Sequence, residues 1–243
     1  MKPDPHRHNA AHLEVELKLE LTSALDHATL AAALSALAGA PQRLAQVNLY
    51  FDTAGLHLRA ARAMLRLRLE TGGAQLTLKR RPQLRDGLMQ VDELELEVPT
   101  SLAEDWQRRT PSSLCPAEWP DALRPITLAL DGMLSPPTRL HALGAMTNER
   151  LRFDMRRDLL AVAAPPGANL CVELDHSLGP GGEERFELEL EDRDAALLRP
   201  AIEAWLEAQG VEFAPSAESK YAWFLRGLGR EVLLEREDSR SDP

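Results

Sequence analysis

Charges of one sign recur at alternate positions along short segments of this chain. Glu14 and Glu16 stand two residues apart, and Lys18 follows at the same step. Arg66 pairs in this way with Arg68, Arg150 with Arg152, and Lys79 with Arg81. Glu93, Glu95 and Glu97 form an acidic run, as do Glu187, Glu189 and Glu191, and Glu173 with Asp175. Paired carboxylates offer oxygen ligands to a hard divalent cation. Paired guanidinium groups suit the oxygens of phosphate. One wet face with opposite charges pairing across strands is the ordinary explanation of a single charged strand. Here the charges are sorted by sign, and like charges side by side repel unless something bridges them. The pattern predicts a metal and a polyanion held together.

Four of the 28 basic residues are lysine: Lys2, Lys18, Lys79 and Lys220. In a chain that otherwise uses Arg, a retained lysine points to a need for a compact point charge. Lys220 falls in the first turn of an expected helix, where the macrodipole disfavours a cation.

These positions belong to segments in which charge alternates with Leu, Val or Phe, the period of a strand. Strands are expected over 12–21, 44–52, 63–70, 74–81, 88–98, 147–155, 159–163, 169–176 and 184–191. Thr71-Gly72-Gly73 turns the third into the fourth. Ser23 and Asp26 open a helix that Gly39 and Pro41 stop, and Ser101 with Glu104 opens a short one. Later helices are expected over 193–209, carrying Pro200, and over 217–228, capped by Ser216. Residues 111–137 read as a Pro-containing excursion in which Trp119, Leu123, Ile126 and Leu130 pack; its role is open between capping a mouth and self-association.

The fold class that follows is α+β. A closed or nearly closed, largely antiparallel sheet with its charged faces inward and its apolar faces against outer helices uses all these faces. Small barrels are usually filled by apolar side chains, whereas this one is expected to be a wet tunnel. Residues 1–11 are expected to be disordered, 12–229 to form a single domain, and 230–243 a charged tail.

The chain has 243 residues, a mass of 26.9 kDa and a formal net charge of −10. That charge repels nucleic acid and anionic membrane, so bound phosphate needs a local basic pocket or a metal. No run approaches the roughly 20 apolar residues of a membrane helix, and no signal peptide is evident. Cys115 and Cys171 match no metal spacing or disulfide framework. A cytoplasmic protein is expected, of unspecified oligomeric state.

Glu14-Val15-Glu16-Leu17-Lys18 reads as an ExExK signature, followed by Val47-Asn48-Leu49-Tyr50-Phe51-Asp52-Thr53, Leu65-Arg66-Leu67-Arg68, Leu76-Thr77-Leu78-Lys79, Glu187-Leu188-Glu189-Leu190-Glu191 and Ser219-Lys220. In this order the series resembles the CYTH, or triphosphate tunnel metalloenzyme, superfamily. Within it the chain looks most like the bacterial inorganic triphosphatase branch, without the helical domain often fused downstream. The resemblance implies an eight-stranded antiparallel β-barrel, a tunnel in which inorganic triphosphate is hydrolysed to pyrophosphate and phosphate with Mg²⁺ or Mn²⁺. It implies that Glu14, Glu16, Glu187 and Glu189 hold the metal. Lys18, Arg59, Arg66, Arg68, Lys79, Arg150, Arg152 and Lys220 would hold the phosphates, with Glu93, Glu95 and Asp175 as further acidic positions. Lys18, Tyr50 and Glu187 are the candidate catalytic residues; Tyr50 is either a partner of the signature lysine, as in some relatives, or an ordinary strand aromatic. Glu97, Glu191 and Arg81 are expected at the mouth or on the surface. Other substrates on the same scaffold are thiamine triphosphate, nucleoside or RNA triphosphates, and ATP in a class IV-type adenylate cyclase; Trp106, Trp119 and Trp223 are then candidate stacking groups. A non-catalytic polyphosphate-binding module is the remaining alternative.

Overall fold

Strands that alternate Leu with charge have two incompatible faces, and the chain finds a separate environment for each. The structure, a computed structural model, describes residues 11–108, 113–135, 138–157 and 169–229. Eight strands build the sheet: β1 (Ala11–Leu21), β2 (Gln42–Asp52), β3 (Ala63–Glu70), β4 (Gly73–Arg85), β5 (Leu88–Val98), β6 (His141–Arg156), β7 (Asn169–Leu178) and β8 (Glu184–Glu191). They pair antiparallel in the order β5-β4-β3-β2-β6-β7-β8-β1, and β1 returns to pair with β5. Closure leaves no long edge exposed. β1 meets β5 through residues 11–17 and β8 through residues 16–21, the stagger that tilted barrel strands require. A ninth, β9 (Phe213–Pro215), joins β1 beyond the end of β5.

Two strands run longer than alternation predicts. β6 starts at His141 because β2 offers it partners as far as Asp52. β4 continues to Arg85 and enters β5 through Asp86 and Gly87, whose φ values are 50° and 76°. An Asp-Gly pair between strands is a strong hairpin signal, and the period-two reading passed over it. Gly87 is also required by proximity, since a Cβ there would lie 2.7 Å from the Lys18 carbonyl oxygen. The expected strand at 159–163 lies outside the described residues, as do residues 1–10 and 230–243.

The hydrophobic core lies outside the barrel, in two layers. Helices α1 (Ala24–Ala38) and α5 (Ala195–Ala208) place Leu30, Leu34, Leu198, Ile202 and Leu206 against Leu17, Leu19, Leu188 and Leu190. Ser23 caps α1, accepting from the Asp26 N–H at 3.1 Å. Between these two helices come α2 (His57–Ala60), α3 (Thr100–Arg108) and α4 (Arg124–Asp131). Trp106 of α3 and Ile126 and Leu130 of α4, with Leu123, cover Leu65, Leu67, Leu76, Leu78, Leu94 and Leu96. At about 1.5–3 kcal/mol per buried Leu-sized side chain, these layers supply the apolar burial that the barrel's interior does not. Trp119 packs 4.9 Å from Trp106, centroid to centroid, so both rings serve this outer layer and not a ligand.

The last helix, α6 (Lys220–Gly227), begins later than expected. Its cap is Ser219, which accepts from the Ala222 N–H at 3.2 Å, because residues 213–215 are drawn into β9 first. Ser216, the expected cap, instead donates its backbone N–H to the Lys18 carbonyl at 3.0 Å. Trp223, Phe224 and Leu225 of α6 pack on the inward-facing Tyr50, Met64 and Met146, closing one end of the barrel. No described helix is long and apolar enough to cross a membrane.

Candidate functional site

The inner strand faces enclose a cavity of about 600 Å³. Cross-strand register decides what meets what. Lys18 stands opposite Glu189, Glu187 opposite Asp175, Asp175 opposite Arg150, Lys79 opposite Glu93, and Arg66 opposite Tyr50. Of the expected site residues, Glu14, Glu16, Lys18, Tyr50, Arg59, Arg66, Arg68, Lys79, Glu93, Glu95, Arg150, Arg152, Glu189 and Lys220 line the cavity. Glu187 and Asp175 do not; both are fully buried behind the cations that they hold. Glu173 and Glu191 line it too, whereas Arg81 is on the surface, 3.7 Å from Asp92.

One side of the tunnel is a dense lattice of opposite charges. Lys18 Nζ contacts Glu189 and lies 3.1 Å from Glu16. Lys220 Nζ lies 2.8 Å from Asp175, 2.8 Å from Glu187 and 2.6 Å from Glu189. Arg150 grips Asp175 through two bonds of 2.7 Å, reaches Glu189 at 2.7 Å and contacts Glu173. Burial alone would lower the pKa of Lys18 and Lys220, but the surrounding carboxylates outweigh it and hold both ammonium groups charged. Burial opposes ionisation of Asp175 and Glu189 as well; Arg150 and Lys220 on the first, and Lys18, Lys220 and Arg150 on the second, drive both well below the carboxylate range.

Elsewhere like charges crowd. Glu16 is pushed up to about 7 by burial, with Glu14 and Glu189 adding to it against the pull of Lys18. Burial and Glu93 raise Glu14, although Lys79 contacts it. At the rim, Glu191 is exposed, yet lost hydration beside the acidic wall and the charges of Glu14, Glu16 and Glu93 push it up to about 8. Among the described residues no group of three or more His, Cys, Asp or Glu is already arranged as a metal cage. The donor set nevertheless suits a hard cation: carboxylates held close enough to resist ionisation are relieved by one.

The opposite wall carries the mirror image. Arg66 is 9% exposed, donates to Thr77 Oγ1 at 3.2 Å, and has a buried Nε with no hydrogen-bond partner. Arg68 donates to Asn48 Oδ1 at 3.1 Å, and its pKa is lowered by burial and by Arg66 and Arg150. Two adjacent guanidinium groups thus rest on neutral acceptors. Arg59 reaches the mouth because Asp52 accepts from the N–H groups of Leu58 at 2.9 Å and Arg59 at 3.0 Å, shaping α2. Tyr50 packs 4.5 Å from Phe224 and 5.2 Å from Tyr221, and its hydroxyl lies 3.4 Å from Met146 Sδ. Trp223, the third candidate stacking group, is buried in the same end cluster.

Asp52, Ser216 and Arg185 were missed by sequence reasoning. Arg185 shares the period of the acidic residues on β8 and was legible there. Asp52 and Ser216 act through backbone and side-chain contacts that alternation does not encode.

The family model of the CYTH domain matches residues 12–221. No curated protein matches the chain by sequence search. Among solved structures, HpAC1 from Hippeastrum, described as a candidate adenylyl cyclase with a dominant triphosphatase activity, is 26% identical with a TM-score of 0.74, over 88% of this chain and 96% of that one. A Bacillus halodurans protein named as a candidate adenylate cyclase shares the fold at 22% identity and a TM-score of 0.60, over 87% of this chain and 98% of that one.

Proposed function

The chain belongs to the CYTH domain family, and on that basis we propose that it hydrolyses inorganic triphosphate to pyrophosphate and phosphate with a divalent metal. The observation that carries the reading is the pair Arg66 and Arg68, cations that line the cavity on neutral partners, with the buried Nε of Arg66 left without a hydrogen bond. An unpaired buried donor is costly, and a phosphate chain is the anion whose repeated oxygens match guanidinium groups two residues apart. The triphosphatase activity described for HpAC1 supports the same reaction.

Glu14, Glu16 and Glu189, which line the cavity, would hold Mg²⁺ or Mn²⁺. These carboxylates suit a hard cation, which would supply positive charge to offset that of the phosphates. Lys18, Lys79, Arg150, Arg152 and Lys220 would turn from internal carboxylates to phosphate oxygens. Arg59 at the mouth would meet the incoming anion. Fixed cations placed where charge develops lower the barrier without reorganising solvent. A carboxylate of the acidic wall would orient the attacking water and take its proton.

The test is phosphate release from inorganic triphosphate, thiamine triphosphate and ATP with Mg²⁺, Mn²⁺ or EDTA, with cyclic AMP measured alongside. Fast release from inorganic triphosphate that EDTA abolishes is expected. Release confined to an organic triphosphate, or cyclic AMP as product, would replace the substrate; tight binding without release would make the protein a polyphosphate-binding module.

A further inference from the structure

Arg185 is a buried cation that the reaction above leaves unused. It lies on β8 two residues before Glu187, its side chain is 2% exposed, and it does not line the cavity. Its Nη2 lies 2.9 Å from Glu187 Oε1 and 3.3 Å from Glu20 Oε2, and donates to the Glu218 carbonyl at 3.0 Å. Its guanidinium carbon stands 5.9 Å from the ring centroid of Trp223 in α6. One side chain therefore joins β1, β8, the approach to α6 and α6 itself. Glu187 is contacted from its other sides by Lys220, at 2.8 Å from Oε2, and by the Ser216 hydroxyl, at 3.2 Å from Oε1.

We propose that Arg185 is a positioning residue that, acting through Glu187, sets how Lys220 is presented to the triphosphate; this rests on the triphosphatase reading. Glu187 is fully buried, and because Lys220 is shared with Asp175 and Glu189, Arg185 supplies Glu187 with a second cation. While Arg185 satisfies Oε1, Lys220 is anchored on Oε2 and still reaches Glu189 on the cavity wall. Without Arg185 the whole charge of Glu187 falls on Lys220, which is then drawn back from the cavity. The same loss frees the Glu218 carbonyl and the face of Trp223, so α6 is less firmly seated. Glu187 accordingly serves Lys220 more directly than it serves a metal.

The experiment is a double-mutant cycle of Arg185→Gln and Glu187→Gln, with Arg185→Lys as the conservative variant. Two readouts are used: calorimetry of inorganic triphosphate binding in EDTA, and kcat and KM with Mg²⁺. Arg185→Gln is expected to weaken triphosphate binding about tenfold and to raise KM, with kcat changed by no more than about twofold. Arg185→Lys recovers part of the affinity, and Arg185→Gln adds little in the Glu187→Gln background. Wild-type affinity in Arg185→Gln, or losses that simply add in the double variant, would overturn the proposal. If Arg185→Gln does not fold, Arg185→Lys in both backgrounds decides it: an affinity loss present only with Glu187 supports coupling, and equal losses refute it. Wild-type protein that neither binds nor cleaves triphosphate would remove the underlying reading itself.

Discussion

Arg66→Gln separates a residue kept for a ligand from one kept for the fold. Losing the bond to Thr77 Oγ1 costs about 0.5–1.5 kcal/mol, and removing a buried donor without a partner returns about 1–3 kcal/mol. Relief of repulsion with Arg68 adds to the return. The ligand-free variant is therefore expected to be as stable as the parent or about 1 kcal/mol more stable, a rise of about 2–4 °C in Tm for a chain of this length. Binding should move in the opposite direction. Truncating one partner of a buried charge pair costs about 2–5 kcal/mol, so triphosphate affinity should fall about thirtyfold or more. The assays are thermal unfolding in EDTA and calorimetry with inorganic triphosphate. A variant that unfolds many degrees earlier while binding triphosphate normally would refute the reasoning and make Arg66 a structural residue.

Three further outcomes are expected. Folded Glu16 and Glu191 hold protons up to about 7 and about 8, above the ordinary value of 4.5, so their stabilising contribution is complete below about pH 4.5 and is lost as pH rises through those values. Thermal scans in EDTA should show Tm falling between about pH 5 and pH 8, and Mg²⁺ should flatten the fall; a flat profile in EDTA would contradict the crowding of the acidic wall. Lys220→Met leaves Asp175, Glu187 and Glu189 short of a cation, so a loss of about 3–5 kcal/mol, or about 6–20 °C, should accompany loss of turnover in unfolding and phosphate-release assays. Gly87→Ala should cost about 1–3 kcal/mol, read by denaturant unfolding, because the added Cβ meets the Lys18 carbonyl at a φ of 76°.

The barrel was legible because a two-residue period carries both its secondary structure and its sidedness. In β3, Leu65, Leu67 and Leu69 can only face out if Arg66 and Arg68 face in, and the same holds for β8. Boundaries were less legible. The start of β6 depends on how far β2 offers it partners, and the start of α6 depends on β9 consuming residues 213–215. Both are long-range pairings that no local pattern contains. The Asp86-Gly87 turn is a local signal in the sequence, but it lies where alternation ends and so outside any period-two pattern.

Residue types and spacing alone determined which strand faces carry the charges and which carry the core. Depth was decided only by the tertiary structure. Glu187 and Glu189 are equivalent in sequence, two steps of one strand, yet Glu189 faces the cavity while Glu187 lies behind Lys220 and against Arg185. Lys220, the first residue of α6, meets both carboxylates, whereas Arg185 and the Ser216 hydroxyl also meet Glu187 and close it off. A strand's period gives the face on which a charge lies; only the packing of distant segments decides whether a ligand or another residue of the chain meets it there.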